Sequence, residues 1–278
     1  MKRTRSGLYV HQNDIVRPVG YRRDGSPIWP ISGGNPDFPV VVGTPTESST
    51  TTDGTAHTIA RPAGVAGQLS LVLFAHDSGT DLNVTAFSEE TYTQFFRVDR
   101  LAGGWGTIGY YRWEDATEDT SFTITTDDSE KSCTIVYSIS GAANPATQPP
   151  EATTMTAGSG SASPDPPSIT PTGGTKDYLF IAGVNQDGEE ANDDTWTSAV
   201  PANYGPARQT TSGTGGATGT NTSLVTAERA LTAASEDPGT FTVAQALTYN
   251  AFTIAIHPAP PAISYPPGLL VTAPRRAA

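Results

Sequence analysis

The chain has 278 residues, of which 36% are hydrophobic, with 28 Gly, 23 Pro, one Cys and a formal net charge of −12 at pH 7. This composition argues against long helices, because Gly and Pro break helices, and it excludes a disulfide-stapled module, because a single cysteine has no internal partner. The acidic balance argues against a nucleic-acid partner, since a negative body repels phosphates.

Charge is unevenly distributed along the chain. Residues 1–25 hold six basic and two acidic residues, whereas residues 26–274 hold eight basic and 26 acidic residues. No apolar run of secretory length follows the basic start, and no segment reaches the ~20 apolar residues that span a bilayer. We therefore expect synthesis in the cytoplasm and no membrane partner.

Residues 1–40 are predicted to form an extended arm outside the main domain. Their prolines and glycines oppose regular structure, yet the segment is too apolar for a plain flexible tail. Asp24-Gly25 is typical of a hairpin turn. The arm is expected either to wrap its own domain or to dock on a partner. The predicted docking residues are Tyr21, Arg22, Arg23, Ile28, Trp29 and Ile31.

Residues 41–258 are predicted to form one antiparallel β-sandwich from two similar halves, about 41–142 and 175–258. The evidence is an internal repeat at a constant offset of 119 residues. The residues of the first copy, with their second-copy equivalents in the same order, are Phe122, Ile124, Ile135 and Tyr137, then Phe241, Val243, Ile254 and Ile256.

Several finer expectations accompany the repeat. Upstream, matching Tyr111-Arg112 to Glu228-Arg229 requires a two-residue insertion. The Pro, Ser, Thr and Gly-rich stretch 142–174 is interpreted as a crossover loop over the surface, and the final strand, Phe252–Ile256, is expected to pair within the sheets already begun. A weak helix pattern covers Thr226–Ala234. Residues 259–278 form a proline-rich tail, interpreted as a second extended arm.

A search for catalytic chemistry yields no catalytic residues, no metal site and no cofactor motif. His76 and His257 each follow an apolar strand and are expected at solvent-facing strand ends, and Cys133 is expected in the core. Two acidic loops, 77–81 and 187–194, are interpreted as solvated loops, with calcium binding as the alternative because that ion prefers oxygen ligands.

Aromatic residues cluster at 105–113. Strand alternation predicts Tyr111 and Trp113 on one face and Tyr110 on the other. Core packing is the favoured interpretation, but aromatic platforms also bind sugars. The possible carbohydrate-binding residues are Trp105, Tyr110 and Trp113.

These motifs resemble those of the jelly-roll-like β-sandwich proteins in the structural modules of tailed bacteriophages. The resemblance lies in the strand pair from Tyr111-Arg112 to Thr123, its second copy through Glu236-Asp237-Pro238, and the closing strand through His257-Pro258; Gly20–Gly34 is similar to N-terminal segments of phage head-associated proteins.

The resemblance implies a non-enzymatic virion protein, assembled in the host cytoplasm. The leading expectation is a capsid decoration or cement protein, whose partners are capsid or other virion proteins in a homo-oligomer or symmetric array. The alternative is a tail or head fibre module that binds host glycans.

Overall fold

The structure is a computed structural model in which all assigned secondary structure is β. It describes residues 38–78, 82–88, 91–99, 104–115, 119–156, 160–188, 197–213 and 221–260, and the backbone of six short strands nearer the termini. The strands are β1 (Tyr9–His11), β2 (Asp14–Val16), β3 (Gly20–Tyr21), β4 (Pro27–Ile28), β5 (Ile31–Ser32), β6 (Val40–Val41), β7 (Thr46–Ala60), β8 (Leu69–Asp77), β9 (Val84–Phe87), β10 (Thr93–Asp99), β11 (Trp105–Trp113), β12 (Ser121–Ser140), β13 (Glu151–Thr156), β14 (Lys176–Gly188), β15 (Thr197–Ala199), β16 (Arg208–Thr211), β17 (Asn221–Ala233), β18 (Thr242–Val243), β19 (Tyr249–Ile256) and β20 (Ile263–Ser264).

The chain divides into two compact units. Residues 37–259 form the sandwich, and residues 1–36 with 260–278 form a terminal unit. In the terminal unit β1 pairs with β2, β3 pairs with β4, and β5 pairs with β20. Pairing of Tyr21 with Pro27 confirms the hairpin predicted around Asp24-Gly25, whose turn residues lie outside the described part of the chain.

The first half of the sandwich forms one antiparallel sheet with the strand order β10-β11-β8-β12-β6, and β7 and β9 also pair with β12. In its centre, Leu73 on β8 is opposite Gly109 on β11 and Ile135 on β12. The second half forms a separate sheet with the order β13-β19-β14-β17-β16. There, Ile181 on β14 is opposite Glu228 on β17 and Ile254 on β19.

The strand registers confirm a sandwich built from two similar halves. Because Ile135 and Ile254 occupy the same place, Gly109 corresponds to Glu228, again at an offset of 119 residues. The two-residue insertion expected at Tyr111-Arg112 is therefore wrong. The final strand, β19, pairs with β13 and β14 and so joins a sheet already begun, as expected; among the described strands it pairs with no strand of the first half.

Two local expectations were also wrong. Residues 226–233 belong to strand β17 rather than a helix, because the segment pairs with the central strand β14. The stretch 142–174 is more than a surface loop. It contains β13, which pairs with β19, and Ile169 is buried and bridged to Glu236.

The two sheets pack face to face through a shared apolar core. Phe96 of the first sheet and Phe252 of the second sheet meet there with ring centroids 5.0 Å apart. Each ring lies over a glycine on the adjacent strand, Gly109 and Gly183 respectively, where a Cβ atom would overlap the ring. The aromatic rings thus fill the space that a side chain at either glycine would occupy.

Polar groups also join the sheets within this core. The Tyr137 hydroxyl and Thr226 Oγ1 are 2.6 Å apart, and Thr107 Oγ1 donates to Asn250 Oδ1 at 3.3 Å. Cys133, buried as predicted, lies 3.4 Å from the carbonyl oxygen of Thr222. Every one of these contacts crosses from the first half to the second.

The outer face of each sheet has its own apolar cluster, and further strands of the same half cover that cluster. In the first half, the beginning of the long strand β12 pairs with β9, which places Phe122 and Ile124 in this outer cluster. In the second half, β18 pairs with β15, and their equivalents Phe241 and Val243 occupy the corresponding cluster. The repeat therefore includes the residues of these outer clusters as well as those of the two sheets.

We predict that Gly183→Ala lowers the free energy of unfolding by about 1–3 kcal/mol, because the added methyl group forces Phe252 out of its place in the core. Gly54→Ala is the matched control, since its Cβ would meet only the carbonyl oxygen of Thr52 at 3.9 Å. Urea denaturation monitored by tryptophan fluorescence measures both. Equal stabilities for the two variants would contradict this packing argument.

Candidate functional site

A groove of about 310 Å³ on the outer face of the first sheet is the candidate site. It lies among β9, β10, β11 and the residues beside them. The side chains and backbone that line it are those of Asn83, Val84, Thr85, Ala86, Phe87, Tyr92, Gln94, Arg97 and Tyr110. Its size is at the lower end of the range for small-molecule sites, ~300–1,000 Å³.

Three aromatic rings form the apolar part of the groove. The ring of Phe87 lies 5.0 Å from that of Tyr92 and 5.1 Å from that of Tyr110, centroid to centroid. Two side chains hold the Tyr92 hydroxyl in place: Arg61 donates to it at 3.1 Å, and Ser70 Oγ lies 3.3 Å away. Phe87 is only half-buried, so part of its ring faces the groove.

Unlike the hydroxyl group of Tyr92, that of Tyr110 is not held by a neighbouring side chain of the described residues. The residue is 4% exposed and lines the groove, yet its hydroxyl has no hydrogen-bond partner among the described residues. Burial raises the pKa of Tyr110 to about 12, so the hydroxyl keeps its proton at neutral pH. The groove therefore contains a hydroxyl group that can donate and accept a hydrogen bond.

Arg97 contributes the second unused polar group. Its Nε donates to Asp99 Oδ2, which leaves the two Nη atoms without a partner within the described ranges. Asp99 also lies 3.4 Å from Nε2 of the buried His76. Burial works to raise the pKa of Asp99, but its contacts with His76 and Arg97 outweigh burial and lower it. Asp99 is thus ionised and balances the charge of Arg97.

The rim of the groove is polar. Gln94 is exposed, and Asn83 is fixed by Asp127, whose two carboxylate oxygens accept hydrogen bonds of 2.7 Å from the Asn83 backbone N–H and side-chain amide. These hydrogen bonds lower the pKa of Asp127, which therefore stays ionised at the rim. Amides and a guanidinium around aromatic rings suit a ligand that carries several hydroxyl groups.

The same place in the second half is occupied by protein side chains. Register makes Arg229 the equivalent of Tyr110, since they are opposite Phe180 and Val72 respectively. Arg229 Nη1 donates to Glu236 at 2.8 Å, and its guanidinium lies 6.0 Å from the ring centre of Tyr204. A cation–π contact and an ion pair therefore fill the space that forms the groove in the first half.

The structure separates the residues predicted to bind carbohydrate. Trp105 is fully buried, and Trp113 packs with Tyr111 against the core between the sheets. Tyr110 faces the opposite side of the sheet, which confirms the predicted alternation. These three residues form no common surface, and only Tyr110 lines the groove. Sequence reasoning missed Phe87, Tyr92 and Arg97 because only the strand registers bring them to Tyr110.

Of the predicted docking residues, Tyr21, Ile28 and Ile31 lie on short strands of the terminal unit. Arg22, Arg23 and Trp29 lie outside the described residues. Their role as docking residues stays a prediction.

The histidines expected at solvent-facing strand ends are buried, which corrects that expectation. His76 and His257 are each 1% exposed. His76 stacks on Phe74 with ring centroids 6.3 Å apart, and His257 Nε2 lies 2.7 Å from Glu151. Both strand ends are therefore inside the protein.

A serine–histidine contact occurs next to His76 but lacks the features of a catalytic triad. Ser132 Oγ is 2.8 Å from His57 Nδ1, and the other ring nitrogen lies 3.2 Å from the Thr126 hydroxyl. Ser132 is 1% exposed, and burial lowers the pKa of His57 to about 4. A triad needs an accessible nucleophile and an acid that orients the histidine, whereas this histidine contacts hydroxyl groups on both sides.

The two acidic loops begin at one end of the sandwich, where Asp77 and Asp187 interact electrostatically. Burial, with the carboxylates of Asp187, Glu130 and Asp53, raises the pKa of Asp77 to about 7, although Lys131 opposes the shift. Among the residues described, no group of three or more His, Cys, Asp or Glu side chains is arranged to hold a metal ion. Residues 79–81 and 189–194 lie outside the described part.

In comparisons with known proteins, the chain matches no family model, no curated protein and no solved structure. The described residues include no helix of the length and apolar character needed to cross a membrane.

We predict that Asp77 makes the protein less stable as pH rises. A carboxyl group whose pKa is raised from 3.8 to about 7 by folding stabilises the folded state below pH 4, and this contribution is lost as pH rises to 7. Between pH 5 and pH 8 the Asp77→Asn variant should lose on the order of 1–3 kcal/mol less unfolding free energy than the wild type.

Urea denaturation at the two pH values tests this prediction. Asp115→Asn is the control, because that carboxylate is 80% exposed and its variant should follow the wild type. Identical pH dependence of the unfolding free energy in wild type and Asp77→Asn would contradict a raised pKa of Asp77 in the folded state.

Proposed function

We propose that the chain is a non-enzymatic structural protein of a tailed-phage virion, and that it decorates the head by docking through its terminal unit. The class of virion rests on the resemblance of its motifs. The mode of attachment rests on one observation: β5 of the N-terminal region pairs with β20 of the C-terminal region, in a unit separate from the sandwich.

The size of the terminal strands supports a docking role. They have only two or three residues each, and two-stranded ribbons of this length are marginally stable in water by themselves. The same strands carry apolar residues, among them Tyr21, Ile28 and Ile31. A capsid surface would stabilise the unit by burying such residues, at roughly 25 cal/mol per Å² of apolar area.

Charge supports the same arrangement. The basic residues are concentrated at the start of the chain, whereas the sandwich is strongly acidic. The terminal unit would face capsid subunits, in a symmetric array, and the acidic sandwich would face solvent.

A second candidate function is host-surface carbohydrate binding by a tail or head fibre module. The groove at Tyr110 favours it, because the groove combines a half-buried aromatic ring with unused hydrogen-bonding groups. The two functions use different parts of the chain.

We predict that a Trp29→Ala, Ile31→Ala double variant folds but binds particles lacking the protein about 100-fold or more weakly, because each lost apolar anchor costs ~1.5–3 kcal/mol. Sedimentation of the purified variant with such particles measures binding. The matched control is Val40→Ala, Val65→Ala, which removes two side chains that are 52% and 49% exposed on the sandwich. Wild-type binding by the Trp29, Ile31 variant would rule out docking through this segment.

A further inference from the structure

We propose that the groove on the outer face of the first sheet binds a neutral saccharide of one or two sugar rings, with Tyr110 and Arg97 donating hydrogen bonds to its hydroxyl groups. The proposal deepens the second candidate function and rests on it, since it names the class of sugar and the residues that recognise it.

Tyr110 and Arg97 provide the hydrogen-bonding groups of the groove. A hydroxyl or guanidinium that lines a groove without a protein partner can form hydrogen bonds with a ligand. Tyr110 and Arg97 both line the groove, and neither the Tyr110 hydroxyl nor the two Nη atoms of Arg97 have a hydrogen-bond partner among the described residues. A guanidinium offers a fork of donors, which matches two adjacent hydroxyl oxygens of a sugar ring.

Phe87, Tyr92 and Tyr110 provide the aromatic surface of the groove. One face of a sugar ring is made largely of C–H groups, and it packs against an aromatic side chain. Phe87 is half-buried, and its ring contacts those of Tyr92 and Tyr110. Since Arg61 and Ser70 hold the Tyr92 hydroxyl, the three rings form a prearranged surface, which reduces the cost of ordering on binding.

Charge selects neutral sugars over acidic ones. The ionised Asp99 neutralises Arg97, and Asp127 adds a negative charge at the rim beside Asn83. The rest of the sandwich is acidic as well. A uronic acid would therefore meet net repulsion, whereas an uncharged ring keeps every hydrogen bond and pays no such cost.

The experiment uses the full-length protein and an array of neutral and uronic-acid-containing oligosaccharides. Isothermal titration calorimetry then compares a neutral sugar that binds with its uronate counterpart. We expect the neutral sugar to bind and the uronate to bind at least about 10-fold more weakly. Absence of binding to every sugar on the array, or preference for the uronate, would overturn the proposal.

Matched variants locate the binding site. Tyr110→Phe removes only the hydroxyl and should weaken binding about 5–10-fold, whereas Tyr111→Phe, on the opposite face of the same strand, should not change it. Arg97→Lys, which loses the forked donor, should also weaken binding, whereas Arg112→Lys on the next strand should not. Wild-type affinity in both Tyr110→Phe and Arg97→Lys would overturn the assignment to this groove.

The two functions fail separately in these assays. Tyr110→Phe should still bind particles, and the Trp29→Ala, Ile31→Ala variant should keep its affinity for the sugar. Loss of particle binding in Tyr110→Phe would place the groove at the capsid contact and overturn its assignment to a saccharide.

Discussion

The meeting of Phe96 and Phe252 between the two sheets is the constraint on which the rest of the fold depends. Both rings need the space above a glycine on the neighbouring strand, so Gly109 and Gly183 set how closely the sheets approach. The hydrogen bonds between Tyr137 and Thr226 and between Thr107 and Asn250 form only at that spacing. Because all these contacts cross between halves, each sheet depends on the other for one buried face.

The two sheets share one strand order, but their outer faces differ. In the second half, Arg229 with Glu236 and Tyr204 fills the outer face with internally satisfied groups. In the first half, Tyr110 occupies the equivalent register and leaves a groove instead. The shared core constrains both copies equally, whereas the outer faces are constrained only by their own covers. A ligand site can therefore arise on one copy without disturbing the contact between the sheets.

The sequence predicts the strands with apolar periodicity and the two-part architecture, because buried positions such as Ile135 and Ile254 repeat at a fixed offset. It does not predict β13, since Glu151–Thr156 is a mostly polar edge strand without a clear apolar pattern. Burial of His76 was missed because a histidine at the end of a strand gives no indication that another layer covers it. The groove was identified only through Tyr110, since Phe87 and Arg97 reach it through strand registers that sequence patterns leave undetermined.

The pairing of β5 with β20 has a consequence for how the protein is made. Synthesis proceeds from the N-terminus, and domains fold as they emerge. Every strand of both sheets precedes β20 in the chain, so β20 is the last described strand to be synthesised. The pairing of β5 with β20 is therefore the last described strand pairing that the growing chain can complete.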